Sequence, residues 1–170
     1  SEPLALEWPV AAIVAENGAV ALVAAGGRLQ VEYAQDETTR VRNAQRLRAA
    51  AARVLREVPG ATLARDSAGR ATDIAIDHSE FGHLAPESID RVVAIMHAEG
   101  MRATVSSIHV NGWFGEHDKL SGARWIVRTL FGRDLDAELD RWVYVGDSAN
   151  DQQMFADFPC SVGVANLKDF

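Results

Sequence analysis

Residues 142–155, WVYVGDSANDQQMF, drive an apolar run into a Gly-Asp step and follow it with Ser148, Asn150 and Asp151. Trp142 to Val145 reads as a strand buried on both faces, which is the pattern of a parallel sheet covered by helices. A helix is expected just after Gly146-Asp147, and CSVGVAN (160–166) reads as the next parallel strand. In an open parallel sheet, ligands sit beyond the carboxyl ends of the strands, and Asp147 falls at that place. The free N–H groups of a following helix favour an anion there. Asp147, with Asn150 and Asp151 one turn on, offers oxygen donors to a hard cation such as Mg2+, which keeps positions for water and phosphate. The plainer reading is that Asp147 or Ser148 simply caps the helix, since both are ordinary N-cap residues.

One αβ unit earlier, HDKLSGARWIV (117–127) opens a helix expected from about Lys119 to Phe131. A lysine at the positive end of a helix is poorly placed unless an anion accompanies it, and a phosphoryl group or a partner carboxylate would serve. A solvated surface lysine is the alternative.

Composition narrows the field. The chain has 170 residues, 48% of them hydrophobic and 24% charged, which is ordinary usage for a folded globular protein. Its net charge is −7 and its pI about 5.2, without the basic stripe that a nucleic-acid partner requires. Cys160 is the only cysteine, so an internal disulfide and a cysteine-based zinc site are both excluded. No apolar stretch, Val10 to Val14 among them, approaches the roughly 20 residues that cross a bilayer. No basic segment precedes a hydrophobic one at the start, and a cytoplasmic location with no membrane partner is expected.

In AAIVAENGAVALVA (11–24), Asn17-Gly18 separates two apolar runs, a strong hairpin signal because both residues tolerate positive φ. Gly26-Gly27 then marks a boundary. Residues 28–110 read as strand, helix, strand, strand, helix, strand. The first strand is about Leu29 to Tyr33, and a long Ala- and Arg-rich helix with Val41, Leu47, Val54, Leu55 and Val58 on its apolar face ends at Pro59-Gly60. ATDIAID (71–77) alternates as a strand, Pro86 opens a helix closed by Gly100, and MRATVSSIHV (101–110) completes the unit as one strand. This βαββαβ order describes a small α/β domain. The expected fold class is therefore α/β, a partial Rossmann-like parallel-sheet core in residues 1–27 and 111–170, with residues 28–110 inserted as a second α/β domain.

The pair DKLSGARWIVRTLFG (118–132) and WVYVGDSANDQQMF resembles the third and fourth motifs of the haloacid dehalogenase superfamily of phosphohydrolases. IVAENGA (13–19) resembles the segment before the inserted cap in the subclass with a large α/β cap, which includes sucrose-phosphate, mannosyl-3-phosphoglycerate and Cof-like phosphatases. The resemblance spans nearly the whole chain. It implies that Lys119 steadies nucleophile and phosphoryl oxygens, that Asp147 and Asp151 serve the Mg2+ site, and that Ser148 and Asn150 support metal and phosphate. The implied reaction forms an aspartyl-phosphate that water hydrolyses. Metal and lysine neutralise charge in such a transfer. The implied cap closes over a small phosphorylated substrate, a sugar phosphate. Arg70, His109 and Asn111, with Trp113 as an apolar wall, are candidates to meet it. A structural role for each, and a plain turn at Asn111-Gly112-Trp113, remains the alternative.

One part of the pattern is missing. The family's nucleophile lies in an Asp-x-Asp step on its first strand, and no such step precedes Glu16; Asp134-Leu135-Asp136 stands in the wrong place. The expectation is a chain holding the cap and the carboxyl-side portion of the core, inactive by itself. A non-catalytic binding module that keeps the cap is the second possibility. An absent first strand would leave an open sheet edge beside WVYV, and self-association there is expected.

Overall fold

The computed structural model describes residues 7–26, 28–147 and 149–164. These fall into two compact units, one from residues 7–36, 117–146 and 153–164, the other from 37–116 and 147–152.

The first unit opens with β1 (Ile13–Ala15), β2 (Val20–Ala25) and β3 (Arg28–Tyr33) in an antiparallel sheet of that order. The Asn17-Gly18 turn is present, with Glu16, Asn17 and Gly18 all at positive φ (50°, 56° and 101°). β3 differs from its expected place at the start of the inserted unit. It pairs with β2 along its length, from Val20↔Tyr33 to Ala25↔Arg28. The Gly26-Gly27 step, expected to mark a domain boundary, instead joins two strands, and Gly26 adopts the left-handed conformation (φ 58°) that a tight hairpin needs.

Helix α3 (Lys119–Phe131) is the shared wall of this unit; α1 (Glu37–Glu57) and α2 (Pro86–Ala98) lie in the other. One side of α3 sets Ile126, Trp125 and Leu130 against Ala21, Val23 and Val14 of the hairpin. Its other side sets Leu120 and Val127 into a cluster with Leu135, Met154 and Phe158, flanked by Trp142 and Tyr144. That second cluster supports β8 (Val143–Gly146), β9 (Cys160–Gly163) and the short α4 (Gln152–Asp157). β8 and β9 pair in parallel, as expected, from Val143↔Cys160 to Gly146↔Gly163. β8 is not buried on both faces, however: Val143 and Val145 are 61% and 57% exposed, while Tyr144 turns inward to Phe155 and Phe158. An apolar run records affinity for a core but not the number of faces that meet one.

In the second unit β4 (Thr62–Leu63), β5 (Asp73–Asp77), β6 (Arg102–Val105) and β7 (His109–Trp113) form a sheet of order β4-β5-β7-β6 with every pair antiparallel. MRATVSSIHV is thus two strands, not one. The Ser106 hydroxyl donates to the His109 carbonyl and accepts from the His109 amide, a local bonding that competes with straight extension. α1 and α2 cover one face of the sheet with Leu47, Ala50, Val54, Val92, Ile95 and Met96 against Ile74, Ile76 and Val110. Each fully buried aliphatic side chain such as Ile76 contributes about 1.5–3 kcal/mol. Val41 and Leu55, expected in that core, are exposed; Ala50 and Ala51 take their place. The arginines 42, 46, 48 and 56 lie on the exposed side of α1, as their spacing suggests. The mixed α/β class expected from the sequence is the one observed.

Candidate functional site

Lys119 is the first residue of α3, half-buried, and directly follows the N-cap Asp118. The Asp118 carboxylate accepts the Ser121 amide at 2.8 Å, and the Ser121 hydroxyl accepts the Asp118 amide at 2.8 Å. This reciprocal pair satisfies two donors that a helix start leaves orphaned. It also places a negative charge at the positive end of the helix, so Lys119 can sit there without an outside anion. Gly132, left-handed at φ 61°, closes the helix and donates to the Arg128 carbonyl.

The same helix start is pressed against the hairpin turn. A Cβ built on Gly18 would lie 2.1 Å from the Asp118 carbonyl oxygen, and one on Gly122 would lie 2.5 Å from the Gly18 Cα. Only two residues without side chains permit this approach.

The Gly-Asp stretch belongs, from Asp147 onward, to the second unit. The Asp147 amide donates to Asp151 Oδ2 at 2.9 Å, while the Asp147 side chain is exposed and that of Asp151 is buried. Asp151 therefore fastens the turn that presents Asp147. Asn150 is half-buried in the 3-10 turn Ala149–Asp151, which lies beside β6. Ser148 lies outside the described residues. The donors are all oxygen-bearing groups, as Mg2+ requires. Among the described residues no cluster of three or more His, Cys, Asp or Glu side chains gathers to hold a metal by itself.

The face of the four-stranded sheet opposite the helices is polar. Register and alternation put Asp73, Ala75 and Asp77 of β5 beside Trp113, Asn111 and His109 of β7. Arg70 is not a loose arm: it takes both oxygens of Asp66 at 2.9 Å and those of Asp73 at 2.9 and 3.1 Å. Burial works against its charge, but the bonds and charges of these two carboxylates outweigh it and raise the guanidinium pKa well above its usual value. The Arg70 bond in turn lowers Asp66. His109 Nε2 meets Glu80 Oε2 at 2.8 Å, and Asn111 is buried on the same strand. Across the register from Asn111, Thr104 carries a buried hydroxyl with no hydrogen-bond partner among the described residues.

Asp77 had no role assigned from the sequence. Its buried carboxylate accepts the amides of Ser79, Glu80, Phe81 and Gly82 at 2.8–3.1 Å. Burial tends to raise its pKa, and the four N–H donors more than reverse this and lower it. An Asp followed by Ser and Gly within five residues is a turn signal that could have revealed it.

No family model and no curated protein matches the sequence. Solved structures do. The sucrose-phosphatase of Synechocystis sp. PCC6803, in complex with sucrose and phosphate, aligns with a TM-score of 0.55 at 15% identity, covering 81% of this chain and 56% of that one. The C-terminal domain of trehalose-6-phosphate phosphatase from C. albicans aligns with a TM-score of 0.56 at 12% identity, covering 86% of this chain and 52% of that one. The chain thus spans just over half the length of each. At such identity the likeness establishes architecture alone: this chain shares the mixed α/β fold of those two structures.

Proposed function

We propose that this chain belongs to a Mg2+-dependent phosphatase that hydrolyses a sugar phosphate or related phosphomonoester through an aspartyl-phosphate. The observation that carries the reading is the shared fold with a sucrose-phosphatase bound to sucrose and phosphate, together with the Gly146-Asp147 step at the carboxyl end of parallel strand β8. In this proposal Lys119 neutralises the phosphoryl oxygens, Asp147 holds the metal, Asp151 fixes the Asp147 turn, and Ser148 and Asn150 support metal and phosphate. When bound, Mg2+ would supply charge neutralisation. The attacking aspartate comes from outside these 170 residues. The domain carrying α1 and α2 acts as the cap. Its face with His109 and Asn111, to which we add Thr104, meets the leaving group, and Arg70 keeps that face in shape. In this proposal the protein works in the cytoplasm, without a membrane or nucleic-acid partner.

The test compares two proteins on p-nitrophenyl phosphate and a panel of sugar phosphates. The 170-residue chain is expected to show no turnover, and the full-length gene product Mg2+-dependent turnover abolished by Lys119→Ala or Asp147→Asn. Mg2+-dependent turnover by the 170-residue chain would show that the nucleophile lies within it. A second reading is a binding module that retains the cap; a full-length product without an Asp-x-Asp step, inactive on every substrate, would favour it.

A further inference from the structure

We infer that the left-handed turn Glu16–Asn17–Gly18 is the positioning element for Lys119, holding the start of α3 through a backbone-to-backbone seat that Gly18 and Gly122 make possible. The inference rests on the phosphatase reading for the purpose of that lysine, but not for the seat itself.

Three independent observations converge on the turn. First, its backbone is costly: Glu16 stands at φ 50°, where a residue with a side chain is strained by about 1–3 kcal/mol, while Asn17 at φ 56° tolerates the same region. Such strain persists only where the surroundings over-determine it, and here Gly18, Ala19 and Val20 are all buried. Second, the turn meets the first helical turn of α3, at Asp118 and Gly122. The Asp118 carbonyl that Gly18 abuts is the acceptor of the Gly122 amide at 2.9 Å, one of the bonds that starts the helix. Third, the reciprocal Asp118–Ser121 cap fixes where the helix begins, so Lys119 has one registration relative to the turn. A side chain at position 18 would enter the space of the Asp118 carbonyl, and Lys119 is bonded to that carbonyl group. Displacement of Asp118 is therefore displacement of Lys119.

A control for the collision exists within the same sheet. Gly26 is also at positive φ, 58°, but a Cβ there would meet nothing within 4 Å. Gly26→Ala places a side chain at positive φ without the collision, in a milder conformation than the 101° of Gly18. In the 170-residue chain, Gly18→Ala is expected to shift the backbone amide resonances of Asp118 to Gly122 and to change the rate at which an acylating reagent labels Lys119, read by peptide mass spectrometry. Gly26→Ala is expected to leave both at wild-type values. Wild-type resonances and labelling in Gly18→Ala would overturn the inference. Should Gly18→Ala not fold, as judged by circular dichroism, Asn17→Gly replaces it, since it removes atoms and loosens the turn. Faster amide exchange over residues 118–121 is then the expected result, and unchanged exchange overturns the inference.

None of these measurements needs turnover, so a failure of the phosphatase reading is seen separately, as an inactive full-length protein. If that protein is active, Gly18→Ala should lower kcat by about 100-fold with little change in KM. Combined with Lys119→Arg it should cost no more than Lys119→Arg alone, because a positioning residue acts through the group it positions. Additive losses would overturn it.

Discussion

The amide of Asp147 is bonded to the carboxylate of Asp151 at 2.9 Å, so the exposed acid of the Gly-Asp turn is held by the buried one four positions later. Asp151→Ala would leave that amide without its acceptor, at a cost of about 1–3 kcal/mol. Hydrogen exchange at Asp147 should accelerate, while exchange in β5 and β7 stays as in the wild type. Asp151→Asn, which retains an acceptor oxygen, should lose less.

The cap of α3 gives a second expectation. Asp118→Ala removes the acceptor for the Ser121 amide and the compensating charge at the helix start, and should destabilise the protein by about 1 kcal/mol in urea unfolding. Asp118→Ser, which keeps a capping oxygen, should recover most of the loss.

Acid should act through Asp77. Its folded pKa lies below the ordinary carboxylate value, so the unfolded chain binds its proton first as pH falls. The stability it contributes is complete above the unfolded pKa of about 3.9 and is lost as pH drops through the lower folded value. Asp77→Asn should therefore be less stable than wild type at neutral pH, and the difference should close in strong acid. Urea titrations of both proteins at neutral pH and about pH 2 check the sign.

The exposed side of β8 bears on association. Val143, Val145 and Val162 present an apolar surface, and we expect the 170-residue chain to self-associate through it. Val143→Ser with Val145→Thr should lower the mass seen by light scattering at high concentration and change unfolding by roughly 0.5 kcal/mol or less per exposed site. A wild-type monomer throughout the concentration range would refute the expectation.

Local chemistry was legible wherever a residue's partners were close in sequence. α3 is expected from about Lys119 to Phe131, and the structure starts and ends it there. Asn17-Gly18 announced its hairpin for the same reason. The partner of β3 was not legible: RLQVEY carries no mark that distinguishes β2 from another strand, and its pairing follows from the short Gly26-Gly27 connection. The split between β6 and β7 is closed by Ser106, whose hydroxyl and backbone amide both bond His109. For the candidate site, the sequence named Lys119, Asp147 and Asp151 by type and spacing, but the bond that subordinates Asp151 to Asp147 needed coordinates. Arg70 looked available as an isolated cation; Asp66 and Asp73, on either side of it in sequence, in fact enclose it.

Helix α3 serves two layers drawn from opposite ends of the chain, with Ile126 toward the hairpin and Leu120 and Val127 toward Met154 and Phe158. This has a consequence for the order of events during synthesis. Residues 37–116 hold the sheet and both helices of their unit in one contiguous stretch and can fold as they emerge. The hairpin at 13–33 leaves the ribosome earlier yet must wait for α3 to cover it, and α3 must wait for α4. A helix made after residues 37–116 thus completes the packing of strands made before them, which makes this unit the slower and more exposed partner in folding.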